Sequence, residues 1–160
     1  MQRLIGGVDM PEYSKNEVQN VLLGEAVLLD NTNPCTKGYI FHDGGSGVFL
    51  IRGISQKCYA EYQLHFTANI AIPTTGTAAE PIAVAFAVNG EARATSRAIV
   101  TPTVVDDYFA VSIDTVIDVP RGTAFTVAVR AVSGVTVGAE GDPAPSINVQ
   151  NAKLSISKTV

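Results

Sequence analysis

The sequence predicts an all-β fold, a sandwich or barrel of about eight or nine short strands, and three observations predict it. Apolar residues recur with period two over long stretches. Clusters of Gly, Pro, Thr and Asn punctuate the chain at near-regular spacing. Asn89-Gly90 stands between two alternating runs, Ile82–Val88 and Ala92–Val100. Period two marks a strand with one buried and one wet face, and Asn-Gly between such runs is the strongest short-range hairpin signal.

Residues 1–20 lack this period. Gly6, Gly7 and Pro11 interrupt isolated apolar residues, Leu4, Ile5, Val8 and Met10, so the segment reads as an arm ahead of a domain over 21–160. A disordered terminus is the alternative. Ser14-Lys15-Asn16-Glu17 has the spacing of a capping box before Val18, Val21 and Leu22. Gly24 limits any helix there to about two turns.

Gly44-Gly45-Ser46-Gly47 separates Gly38–Phe41 from Val48–Ile51 as a turn between strands. From Ala60 to Ile72, Tyr62, Leu64, Phe66, Ala68 and Ile70 take one face, and Glu61, Gln63, His65, Thr67 and Asn69 the other. Tyr108–Val119 repeats the pattern, with Phe109, Val111, Ile113, Ile117 and Val119 inward and Ser112, Asp114 and Asp118 outward. A turn at Val119-Pro120-Arg121-Gly122 leads to a strand beginning with Phe125, Val127 and Val129. Near the C-terminus the inward set switches from Ile147 and Val149 to Ala152, Leu154 and Ile156. That change of parity across Gln150-Asn151 predicts a β-bulge.

At 160 residues, 46% hydrophobic and 16% charged, the chain suffices for one domain with a proper core. Charged residues run well below the roughly 25% of ordinary globular proteins, so much of the surface is Ser, Thr, Asn, Gly and Ala. Such a surface suits subunits that bury area against copies of themselves. A net charge of −4 and pI near 5.0 give no electrostatic ground for nucleic-acid binding. The longest apolar run, Ile82–Val88, has seven residues, which excludes a spanning helix. The N-terminal MQRLIGGVDMPEYS lacks the apolar stretch of a secretory signal, so synthesis in the cytoplasm is expected.

Chemistry is sparse, and neither a cofactor nor a metal is expected. Cys35 and Cys58 form no CxxC and no Cys/His cluster. They read as free thiols in a reducing compartment, with a late-forming disulfide as the alternative. His42 and His65 have no Ser or Cys in a nucleophile context nearby, and His42 reads as a buried, satisfied histidine. Gly44–Gly47 is followed by a strand, which excludes a phosphate cradle on a helix N-terminus. Asp114 and Asp118 stand about 13 Å apart along one strand face, too far to share a cation, and Asp106 and Asp107 are loop residues. Arg93, Arg97, Arg121 and Arg130 read as surface charges.

The informative residue is alanine. Ala83, Ala85 and Ala87 alternate with Ile82, Val84, Phe86 and Val88, and Ala92, Ala94 and Ala98 continue beyond Asn89-Gly90. A solvated strand face normally carries Lys, Glu or Thr. A small apolar face lets another surface approach closely, either the arm, a long loop or a neighbouring subunit, and a neighbouring subunit is the expected occupant.

The order of features resembles the jelly-roll family of tumour necrosis factor (TNF) and the complement globular head, in particular its bacterial and phage branch. The stretches that carry the resemblance are Ala26-Val27-Leu28-Leu29, Gly38-Tyr39-Ile40-Phe41-His42, Gly44–Gly47, Ala60–Phe66, Arg121–Phe125 and Ala152–Ile156. Ala60 stands where that family prefers glycine, and Thr123 where aspartate is common. The resemblance spans residues 24–160. It implies a TNF-like jelly-roll sandwich and a homotrimer, with the sheet carrying the Tyr62 strand near the three-fold axis. Asn16–Glu25 and Ser146–Ala152 are also similar to segments in proteins of gut Firmicutes and their phages.

Together these readings give an expectation: a non-enzymatic virion protein, a trimeric phage capsid-decoration or head-fibre subunit on the capsid surface. Tyr62, Ala83, Ala85 and Ala87 would form the trimer contact. Leu4, Ile5, Val8 and Met10 would anchor the arm to a major capsid or other virion protein. Neither nucleic acid nor membrane is expected as a partner. The alternatives are a spore- or cell-surface module, which in exosporium proteins follows a collagen-like tract absent here, and a receptor- or glycan-binding module.

Overall fold

The computed structural model describes residues 11–31, 38–135 and 144–159, and every regular element among them is a strand. In chain order these are β1 (Glu12–Lys15), β2 (Gln19–Leu22), β3 (Asp30–Asn31), β4 (Ile40–Phe41), β5 (Val48–Arg52), β6 (Tyr59–Ala71), β7 (Ile82–Val88), β8 (Glu91–Val100), β9 (Phe109–Pro120), β10 (Ala124–Ser133) and β11 (Ser146–Lys158). They form two antiparallel sheets. Sheet A runs β3-β1-β11-β6-β9, with β2 also paired to β11, and sheet B runs β4-β5-β10-β7-β8. From β5 onward the chain passes repeatedly between the sheets, so each layer is assembled from strands distant in sequence.

The alternation read from the sequence sets the layers. Tyr62, Leu64, Phe66, Ala68 and Ile70 of β6 are all at most 4% exposed. They meet Val111, Ile113, Ile117 and Val119 of β9, and Phe49, Ile51, Val84, Phe86, Val127 and Val129 of sheet B, in one core. Phe109 is the exception, 40% exposed at the first position of β9. Asn89 and Gly90 take φ of 51° and 87°, the left-handed pair that a type I′ hairpin turn requires. The register of β11 against β6 jumps between Gln150 and Lys153, with Asn151 at φ 53°. This bulge lets Val149 and Ala152, of opposite parity, both face inward.

Two expectations are corrected at the N-terminus. Residues 11–20 belong to the body: β1 pairs with β11 from Glu12↔Ser155 to Lys15↔Ala152, and Tyr13 is 1% exposed. The boundary drawn at residue 20 therefore moves to before residue 11. No helix forms at Ser14–Glu17, because Ser14 and Lys15 lie in β1. A two-turn helix is too short to hold by itself, whereas pairing with β11 supplies backbone partners and buries Tyr13. Leu4, Ile5, Val8, Met10 and Cys35 lie outside the described residues.

One end of the sandwich is clamped by close backbone approach. The Tyr62 hydroxyl crosses the core to donate to the Arg52 carbonyl, joining β6 of sheet A to β5 of sheet B. The Gly53 N–H donates to the Thr123 carbonyl (2.8 Å) and the Gly122 N–H to the Gly53 carbonyl (3.1 Å). A Cβ at Gly53 would come within 2.0 Å of the Pro120 carbonyl oxygen, so only glycine fits this crossing.

Candidate functional site

The outer face of sheet A is polar. Alternate positions put Gln63, His65 and Thr67 of β6 outward, and the register sets His65 directly between Asp114 of β9 and Ser155 of β11. A shallow depression of about 470 Å³ lies over this row, with Val116 at its rim. Ser, His and Asp thus meet on one surface although they are far apart in sequence. No hydrogen bond joins any two of them among the described residues, and the open sheet face offers no ring of donors for a developing oxyanion. The row is a set of solvated side chains. Farther along the same face, Lys153 pairs with Glu12 at 3.6 Å, both about half exposed.

The outer face of sheet B is built differently. Ala83, Ala85 and Ala87 do face outward, yet they are 0–1% exposed within a single chain. Cross-strand neighbours stand beside them: Ile99 and Val132 flank Ala83, Arg97 and Arg130 flank Ala85, and Ala92 and Ala128 flank Ala87. Both arginines are tied to main-chain carbonyls, Arg97 to Ser133 (3.2 Å) and Arg130 to Gly90 (3.1 Å). The stems of Arg93 and Arg97 wall a groove of about 250 Å³ floored by Ala85, Ala92 and Ala94. Apolar residues continue outward with Phe41 (58% exposed), Val48 (46%) and Ile99 (44%). Among the described residues, the outward positions of this sheet carry no carboxylate.

The expected contact residues therefore do not share a surface. Tyr62 points into the core at 0% exposure, and burial pushes its phenol up to about 12. Its outward neighbours Gln63 and His65 hold the surface of that strand instead. Ala98 also departs from the alanine row. The register of β8 slips between the partners of Ala85 and Ala87, which turns Ala98 inward opposite Val84. Sequence reasoning missed Arg97 and Arg130 as the flanks of Ala85, because their opposition to it depends on that slip and on the distant strand β10.

His42 is half-buried and only partly satisfied. Its Nε2–H donates to the Ser46 carbonyl at 2.7 Å, while Nδ1 is buried with no hydrogen-bond partner. The ring stacks on Phe49 with centroids 4.0 Å apart, and Tyr13 meets both edge-on. This cluster packs the mouth of the sandwich. Ser46 N–H donates to the Asp43 carbonyl, closing the glycine-rich turn. Cys58 is an exposed thiol. Asp114 and Asp118 both lie outward on β9, and no group of three or more His, Cys, Asp or Glu suited to a metal ion occurs among the described residues.

No protein-family model and no curated protein matches the sequence. Among solved structures, the chain is similar to the crystal structure of murine APRIL at pH 5.0, with a TM-score of 0.56 at 12% identity. That match covers 96% of this chain and 100% of the other. The fold is a TNF-like jelly roll. The globular domain of the zebrafish complement 1qA protein is a further neighbour, with a TM-score of 0.49 at 12% identity over 93% of this chain and 96% of that one.

Proposed function

We propose that this TNF-like jelly roll is a non-enzymatic structural subunit that self-associates as a homotrimer. We place it on a bacteriophage capsid as a decoration or short head-fibre protein. The observation that carries self-association is the outer face of sheet B, apolar, free of carboxylates among the described residues, and exposing Phe41, Val48 and Ile99. Such a patch is stable in water chiefly when it is covered. The capsid assignment rests on the sequence resemblance and on the segment before Pro11, the arm proposed to engage a virion protein.

Light scattering on the purified chain should give about 50 kDa, three times the 16.8 kDa chain mass. Phe41→Glu combined with Ile99→Glu should return it to one chain mass without loss of fold, since both side chains are exposed in the single chain. A wild-type monomer at micromolar concentration overturns self-association. Deletion of residues 1–10 should leave the mass unchanged and abolish attachment to particles. Wild-type occupancy by the truncated protein overturns the role of the arm.

A further inference from the structure

The jelly roll is electrically polarised from end to end. The strand ends and turns at 71–82, 100–109 and 22–25 gather at one end and carry Glu25, Glu80, Asp106 and Asp107. Asp106 N–H donates to the Ile72 carbonyl and Ala79 N–H to the Pro102 carbonyl, and β11 brings Leu22 to the same end through the pairs Leu22↔Ser146 and Ala71↔Asn148. At the opposite end the loop after β5, the turn between β9 and β10, and the end of β11 come together. There Arg121 N–H donates to the Cys58 carbonyl and Thr159 N–H to the Glu61 carbonyl. This end carries Arg52, Lys57, Arg121 and Lys158. Three carboxylates stand beside them: Glu61 and Asp118 on the outer face of sheet A, with Glu61 engaged by the Thr159 hydroxyl at 2.7 Å, and Glu91 after the Asn89-Gly90 turn near the start of β10. In a chain of net charge −4, this end is where cations outnumber the carboxylates beside them.

That end is also shaped. A cleft of about 560 Å³ is lined by Tyr39, Ile54, Ser55, Lys57 and Lys158. A second depression of about 310 Å³, lined by Arg52, Ile54 and Thr123, adjoins it. Ile54, 44% exposed, is common to both. The Lys158 ammonium is held 4.6 Å above the Tyr39 ring, which fixes its position at the rim without neutralising it. Ser55 Oγ accepts from the Lys57 N–H at 3.0 Å and sets the loop that presents Lys57. Neither lysine has an ion-pair partner among the described residues. An apolar residue ringed by unpaired cations has the anatomy of a protein-binding centre with a charged rim.

We propose that this end docks an acidic segment of a partner protein. An apolar side chain of the partner covers Ile54, and flanking carboxylates meet Lys57 and Lys158 on one side and Arg52 and Arg121 on the other. The Pro11 carbonyl accepts from Ile156 N–H at 3.1 Å, so the chain enters the body at this same end. Docking here would set the acidic end away from the partner. The proposal goes beyond the assembly reading and does not depend on the number of subunits.

The test is a titration of the full-length chain, followed by backbone amide shifts, with an acetylated Glu-Glu-Leu-Glu-Glu amide. The matching Lys-Lys-Leu-Lys-Lys peptide, inorganic phosphate and a heparin-derived disaccharide serve as comparisons. The acidic peptide should shift residues 53–58, 121–123 and 158–159 and weaken as salt rises. Lys57→Glu with Lys158→Glu should weaken it at least about tenfold, as expected when rim charges are reversed. Ile54→Ser, which keeps all four cations, should weaken it severalfold. Unchanged scattering mass and melting temperature of the variants show that a loss is not due to assembly or folding. Shifts elsewhere, equal affinity in the reversed variant, no effect of Ile54→Ser, or binding of phosphate or disaccharide while the peptide stays silent would each overturn the proposal. A monomeric wild type would sink self-association and leave this titration readable.

Discussion

On the outside of sheet A the central position is His65, between Asp114 and Ser155; on the outside of sheet B it is Ala85, between Arg97 and Arg130. The first surface is a mixture of hydroxyls, amides and both signs of charge. The second is an alanine floor under arginine stems, extended by Phe41, Val48 and Ile99. Both sheets bury the same kind of inner face in the same core. The difference therefore lies outside the core: the first outer face is largely polar, while the second leaves apolar area exposed that, in the proposed assembly, another copy covers. The same contrast shows why Tyr62 and the alanines cannot be one contact, since they lie on the inside of one sheet and the outside of the other.

If the sheets differ only outside, their inward aromatic residues should be equivalent. Phe66→Ala in sheet A and Phe86→Ala in sheet B each remove a fully buried ring, and each should cost about 3–5 kcal/mol in urea unfolding. A loss under about 1 kcal/mol at either would mean that its sheet does not share the core, and the comparison would fail at its base.

The next effect belongs to sheet A alone, because the inward phenols are its own. Tyr13 and Tyr62 are both pushed from 10.0 up to about 12 by burial. A raised folded value favours the neutral phenol in the native state. The associated stability is present below pH 10 and is lost as pH rises toward about 12. The loss should be on the order of 2 kcal/mol per phenol across that window. Tyr62→Phe should cost about 1 kcal/mol at neutral pH through the lost bond to the Arg52 carbonyl, while flattening the alkaline limb. An unchanged alkaline limb in the variant would exclude Tyr62 as its source.

How far these features were legible in the sequence follows from how local they are. The parity of β6, the Asn89-Gly90 hairpin and the bulge at Gln150 are written in consecutive residues, and all three hold. The strands β1 and β2 are four residues each and have no period of their own. They are strands because β11 offers an edge, which is a long-range fact. The placement of Arg97 beside Ala85 depends on a slip in β8 that composition does not mark. The basic end is likewise invisible in the linear order, where Arg52, Lys57, Arg121 and Lys158 are spread over two thirds of the chain.

A smaller effect tests the arginine walls of sheet B. Arg97→Ala removes both a charge and a stem beside Ala85, and should cost about 1 kcal/mol. Arg97→Met keeps most of the stem and loses the bond to the Ser133 carbonyl. If coverage of the alanine floor is what matters, methionine should recover more than half of the loss. Equal losses in the two variants would assign the effect to the hydrogen bond.

The smallest effect is expected where the surface advertises an interaction most plainly. Lys153 and Glu12 pair across β11 and β1 on the outside of sheet A, with the ammonium 3.6 Å from a carboxylate oxygen and both side chains 51% exposed. At that exposure water competes for both charges, and holding two long side chains in one geometry costs entropy. A double-mutant cycle with Lys153→Ala and Glu12→Ala should give a coupling of about 0.2–0.5 kcal/mol at low salt. At about 1 M salt, where the screening length is near 3 Å, the coupling should vanish. The same substitutions should leave the mass of the assembly unchanged, since the proposed contact uses the other sheet. A coupling above about 1.5 kcal/mol that persists in salt would mean the pair is shielded from water in solution. Something would then cover the outer face of sheet A, and the assignment of the self-contact to sheet B would have to be reversed.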